Sequence, residues 1–179
     1  MDVIVPAATL QPDTVRALDA TGWPYRVVDV SGDDQAYGRL LRDTWRQSRT
    51  FCVVEQDIVV APDTLDALAA CPAPLCAFPY DQSGVGTGEP GTGLGCTKFG
   101  SALIQDMGDP WPFILARSDL QHPPGHWCRL DLWLRQALNR AGWGQHQHAP
   151  AVGHHRQAVG PSHGCHWMPG WERPWGSAA

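Results

Sequence analysis

"VVEQDIVVAPDTL", residues 53 to 65, is the stretch on which the fold turns. The apolar run Phe51, Cys52, Val53, Val54 is interrupted by Glu55 and Asp57, and a second apolar run, Ile58 to Val60, follows at once. An unbroken apolar run of this length is the pattern of a strand covered on both faces, as in a parallel sheet. The carboxylates at its end mark where the chain leaves the core. "APDTLDALAAC", 61 to 71, then reads as a helix, which makes strand, acidic turn and helix one unit of a parallel sheet.

Outward from that unit the same alternation holds. "VIVPA" (3 to 7) reads as a strand stopped by proline, "PDTVRALDATG" (12 to 22) as a helix opened by Pro12 and closed by Gly22, and "YRVVDV" (25 to 30) as a second strand. "DDQAYGRLLRDTWRQS" (33 to 48) carries Tyr37, Leu40, Leu41, Thr44 and Trp45 at helical spacing, and "APLCAFPY" (73 to 80) is a fourth strand. Together these predict an α/β fold with a mostly parallel sheet and helices on both faces. "DQSGVGTGEPGTGLG" (81 to 95) is too rich in glycine for regular structure and reads as a mobile loop. "CTKFGSALIQDM" (96 to 107) reads as a helix. So does "WCRLDLWLRQALNRAGW" (127 to 143), whose Leu130, Trp133, Leu134, Ala137 and Leu138 share one face. A strand and then an irregular histidine-rich segment follow over 146 to 160.

Length and composition set bounds. The 179 residues, 43% hydrophobic and 17% charged, suffice for one substantial core. The N-terminus has no basic region and no apolar run long enough for a bilayer, so neither a signal peptide nor a membrane span is expected, and the expected location is cytoplasmic. Six cysteines without a CxxC pair read as small buried hydrophobes in a reducing compartment. Residues 1 to 116 hold seven Lys and Arg against fifteen Asp and Glu, whereas 117 to 179 hold six against three and all eight histidines. An acidic half and a basic end allow an anionic partner at that end. Seven of the nine tryptophans also lie beyond residue 110, as core or as stacking platforms for sugars or bases.

Two acidic residues spaced i, i+2 at the end of a central strand can face one cavity and hold a hard divalent cation. An ordinary acidic turn is the other reading of so short a motif. The order of elements, the "VVEQDIVVAPDTL" turn, the loop ending "GTGLGCTKFGSALI", and "HWCRLDLWLRQAL" followed by "HQHAPAVGHHR" resemble the GT-A-fold nucleotide-sugar glycosyltransferases, family 2-like, over residues 1 to 158. The resemblance implies a Rossmann-like domain with a nucleotide-sugar half (1 to 95) and an acceptor half (96 to 158), followed by an irregular Trp- and His-rich tail (159 to 179). It puts Glu55, Gln56 and Asp57 at the family's DxD position, with Glu in place of the first Asp. Glu55 and Gln56 then approach the donor, while Asp57 and Glu55 ligate Mn2+ or Mg2+, with His154 as a third ligand and His155 as its competitor. Pro6, Ala7 and Asp29 match positions lining the nucleotide, and Arg39 and Arg42 are candidates for the donor phosphates, or else belong to a solvated helix face. Asp131 matches the catalytic base, and Gly93, Leu94, Gly95, His126 and Trp127 match the acceptor site.

A carboxylate base is what the chemistry requires, since an acceptor hydroxyl does not attack an anomeric carbon unaided. The expected partners are a nucleoside-diphosphate sugar and an acceptor hydroxyl, with no membrane and no obligate protein partner. Small phage-type enzymes that glycosylate hydroxymethylated pyrimidines in DNA suit the basic C-terminal end; a saccharide or protein hydroxyl is the alternative acceptor. A nucleotidyltransferase and a non-catalytic carbohydrate- or nucleic-acid-binding module are the competing functions. A zinc site is disfavoured on spacing, His163, Cys165 and His166 forming only a loose cluster.

Overall fold

The computed structural model describes residues 1–31, 35–80, 93–114 and 130–154. The glycine-rich stretch 81–92, the segment 115–129 with His126 and Trp127, and everything from His155 onward lie outside the described residues.

The elements run β1 (Asp2–Ala7), α1 (Pro12–Thr21), β2 (Tyr25–Asp29), α2 (Ala36–Trp45), β3 (Phe51–Val54), β4 (Ile58–Val59), α3 (Thr64–Ala70) and β5 (Leu75–Ala77). Then follow β6 (Cys96–Phe99), α4 (Ser101–Met107), α5 (Leu130–Arg140), β7 (His146–Gln147) and β8 (Gly153–His154). A six-stranded sheet has the order β2-β1-β3-β6-β5-β7, and β4 pairs with β8 in a separate two-stranded sheet. The fold is therefore α/β with a mixed sheet.

Local signals explain most of these elements. Pro12 opens α1, and Gly22, in the left-handed region at φ 71°, ends it with its N–H on the Asp19 carbonyl. Phe51 to Val54 are all buried, as their unbroken apolar run requires, because both faces of β3 are covered. Alternation along the strands sorts the core into two layers. Ile4, Phe51, Val53, Leu75 and Phe99 pack against Leu41 and Trp45 of α2, Leu103 of α4 and Leu134 of α5. Val3, Val5, Cys52, Val54, Cys76 and Cys96 point the other way, onto Leu18 of α1 and Leu65 and Leu68 of α3. The first layer is anchored by Trp45, whose ring meets Phe51, Phe99 and Trp111 edge-on at 6.5, 5.8 and 6.2 Å.

One expectation is corrected. "CTKF" does not begin a helix; it is β6, antiparallel to both β3 and β5 in the middle of the sheet, and the helix starts only at Ser101. Four residues of strand abut a helix with a single Gly100 between them, too short a run for periodicity to separate. Gly100 is dictated by packing, because a Cβ there would lie 3.0 Å from the Pro74 backbone. Lys98 sits 4% exposed at the centre of this strand, its ammonium donating to the Cys71 carbonyl at 2.6 Å. Because β6 lies between β3 and β5, the two halves divided at residue 95 share one sheet. The described cysteines Cys52, Cys71, Cys76 and Cys96 are free thiols. No helix among the described residues is long and apolar enough to cross a membrane.

Candidate functional site

Three segments meet beyond the C-terminal end of β3. The first is the turn itself: the Glu55 N–H donates to the Gly95 carbonyl at 2.8 Å and the Ile58 N–H returns to the Glu55 carbonyl at 3.1 Å, fixing residues 55 to 57 as a tight corner. The second is β8. Its antiparallel register sets His154 opposite Ile58, next to Asp57, and brings His154 Nε2 to 3.2 Å from Asp57 Oδ2. The Tyr80 ring packs edge-on against the His154 imidazole at 5.2 Å. The third is the first turn of α5, which carries Asp131.

The electrostatics of the corner are those of crowded acids. Glu55 is pushed up to about 7, first by burial of its carboxyl and then by the charge of Asp57, with Asp131 adding to the effect and the Tyr37 hydroxyl and His154 opposing it. Tyr37, on α2, donates its hydroxyl to Glu55 Oε1 at 2.8 Å. Burial raises the Tyr37 phenol well above its usual range, and Glu55, Tyr80 and Asp131 all add to that. Glu55 thus feels the charges of Asp57, Asp131 and His154, although nearly one hundred residues separate the turn from β8.

Asp131 also serves its own helix, its Oδ1 accepting from the Leu132 N–H at 2.7 Å. It lines a cavity of about 130 Å³ together with Gly93, Leu94, Thr97 and Arg135. Two of the three expected acceptor glycine-loop residues therefore border the same space as the expected base. Gly95 has a packing reason to be glycine: a Cβ would fall 2.6 Å from the Tyr80 ring and 2.9 Å from Ile58.

The remaining expected residues take varied positions. Pro6, Ala7 and Asp29 share the same sheet edge, Pro6 paired with Val28 and Ala7 with Asp29. Asp29 accepts from the Ser31 N–H at 2.8 Å, and the Ser31 side chain first and then this backbone bond hold its carboxyl below the usual range. Gln56 acts as a brace. Its Oε1 accepts from the Ala8 and Thr9 N–H groups at 2.6 and 2.9 Å, tying the loop after β1 to the β3 corner. Arg42, in the last turn of α2, donates to Asp43 at 3.0 Å and its charge bears on Asp109, while Arg39 lies one turn earlier. His126 and Trp127 fall outside the described residues.

Sequence reasoning missed Tyr37 and Tyr80. Tyr37 shows only a helical core pattern in sequence, and nothing local signals that its hydroxyl meets Glu55. Tyr80 closes an apolar run, and its contact with His154 depends on chain pairing 74 residues away.

No family model matches the chain, and no curated protein matches it. Among solved structures, the crystal structure of A197 from STIV aligns at 12% identity over 59% of this chain and 68% of that chain. Its TM-score is 0.44, at which the likeness carries no argument about function.

Proposed function

We propose that this chain is a metal-dependent GT-A-type glycosyltransferase, moving a sugar from a nucleoside-diphosphate sugar to an acceptor hydroxyl. One observation carries the reading: Glu55, Asp57 and His154 converge with Asp131 at the C-terminal end of a central strand, where α/β sheets collect ligands.

The donor set fits a hard cation. Glu55 is raised first by burial and then by the charge of Asp57, so its carboxylate gains from a nearby cation, and an oxygen-rich set with one imidazole suits Mn2+ or Mg2+. Asp57, His154 and Glu55 are the residues that would hold it. Bound there, it supplies charge neutralisation to the departing nucleoside diphosphate. The rest of the chemistry belongs to the side chains. Asp131 takes the proton from the acceptor hydroxyl as attack proceeds, Tyr37 fixes the orientation of Glu55, and Gln56 keeps the loop after β1 against the corner. Pro6, Ala7 and Asp29 line the donor side of the edge, and the cavity beside Asp131, Gly93 and Leu94 is the acceptor side. The acceptor we favour is a hydroxymethylated pyrimidine in DNA, on the basic charge of residues 117 to 179.

The test is a screen of UDP-, GDP- and other sugar nucleotides by thermal shift with and without Mn2+, followed by assay of the released nucleotide. One sugar nucleotide should stabilise the protein only with metal, by about 2.7 kcal/mol at a hundredfold excess over its Kd, and should release the nucleoside diphosphate. Release of pyrophosphate would instead mark a nucleotidyltransferase, and no metal-dependent stabilisation by any donor would remove the proposal.

A further inference from the structure

A second set of metal-ligating side chains lies apart from the acidic corner and shares no residue with it. Cys71 closes α3, while His146 opens β7 and His148 directly follows it, the i, i+2 spacing that puts both imidazoles on the same face of the sheet. The parallel register of β5 with β7 sets His146 beside Cys76, and the His148 N–H donates to the Ala77 carbonyl at 2.9 Å, carrying the pairing one residue further. One ligand atom from each of Cys71, His146 and His148 falls within 4.8 Å of the others.

We propose that Cys71, His146 and His148 bind a thiophilic divalent cation of the Zn2+ class, with three protein ligands and a fourth position open to water. The closest pair already has the required spacing. Cys71 Sγ and His146 Nδ1 are 3.4 Å apart. A tetrahedral centre with bonds of about 2.3 Å to sulfur and 2.0 Å to nitrogen separates its S and N ligands by roughly 3.5 Å.

Two further features prepare the site. His148 is held in place, its ring stacked on Phe78 at 4.7 Å and 15° and meeting His146 edge-on at 4.7 Å. Its Nε2 is buried without a hydrogen-bond partner among the described residues, an unfavourable state for a polar atom that needs a proton donor, an acceptor or a metal. Lys98 grips the Cys71 carbonyl at 2.6 Å, fixing the backbone that carries the thiol.

The donor chemistry separates this site from the acidic corner. A thiolate and two imidazoles select Zn2+ over Mn2+ and Mg2+, which prefer oxygen. Its structural effect follows from position: β7 is a two-residue edge strand, and a metal there clips it to the end of α3 across 75 residues of chain.

The experiment uses the full chain, reduced and stripped by a chelator, and titrated with Co2+ and then Zn2+. One equivalent of Co2+ should give a thiolate-to-cobalt charge-transfer band with the visible bands of a tetrahedral centre, and Zn2+ should displace it. Cys71→Ser should abolish the charge-transfer band, and His146→Gln or His148→Gln should weaken Zn2+ binding at least tenfold. Cys165→Ser and Asp57→Asn should leave both readouts unchanged. His146 is exposed, so His146→Gln keeps the test sound should Cys71→Ser fail to fold. No charge-transfer band in the wild type, its survival in Cys71→Ser, its loss in Cys165→Ser, or unweakened Zn2+ binding in His146→Gln would each overturn the proposal.

Discussion

The corner after β3 and the edge at β7 are built from opposite chemistries on one sheet. At the corner, burial and then the charge of Asp57 lift Glu55 to about 7, while at the edge a thiol and two imidazoles gather beside a buried lysine. The corner is oxygen-rich and acidic; the edge is soft, with the Lys98 ammonium beside it. A small sheet can thus present two donor sets without confusing them, because ligand hardness sorts the cations that each accepts. The two also differ in assembly. Glu55 and Asp57 come from one turn and recruit His154 and Asp131, whereas the edge site takes Cys71 from the end of α3, His146 from β7 and His148 from the residue after it.

The largest expected effect lies at the corner and leaves the edge untouched. Asp131→Asn keeps the shape of the side chain and its bond to the Leu132 N–H but cannot take a proton, so transfer should fall about 10²- to 10⁴-fold with donor affinity retained. Undiminished turnover in a folded Asp131→Asn protein removes the base assignment.

A crossed pair of variants sets the two sites directly against each other. Asp57→Asn should lose the Mn2+-dependent stabilisation by donor, about 2.7 kcal/mol at a hundredfold excess over Kd, while keeping the Zn2+ response; Cys71→Ser should do the reverse. Thermal shifts in the four combinations of variant and metal decide it, and equal loss of both responses in either variant would mean that the sites are one.

The smallest effect is in pH. The Glu55 pKa is raised from 4.5 to about 7 in the fold, so the folded state holds a proton that the unfolded chain has released. That contribution to stability is fully present below about 4.5 and is lost as pH rises through about 7. Without metal, the wild-type Tm should therefore drop between about pH 5 and pH 8 by more than that of Glu55→Gln, by about 2–4 °C for each ~1 kcal/mol involved. Parallel Tm curves for the two proteins would show that Glu55 is not held protonated.

Much of the frame was legible because it is local. Pro12, Gly22 and the helical spacing of Tyr37, Leu41 and Trp45 set α1 and α2, and the unbroken run from Phe51 to Val54 marked a strand buried on both faces. The acidic turn was visible for the same reason, since its residues are neighbours in the chain. His154 beside Asp57 was an implication of family resemblance, and composition offered no path to it.

The chain's own order of residues was enough to settle most of the strands and helices, the place where the carboxylates leave the core, and the covering of both sheet faces. Periodicity and turn chemistry act over a few residues, which is why these features can be read from the chain. Folding in three dimensions was needed to run "CTKF" backwards between β3 and β5, to set Gln56 against the loop after β1, to bring Tyr37 to Glu55, and to bring Cys71 to His146 across 75 residues. Each depends on strand pairing or packing between distant segments. Which distant segments pair is set by the sum of burial over the whole core, and no short stretch of sequence carries that sum.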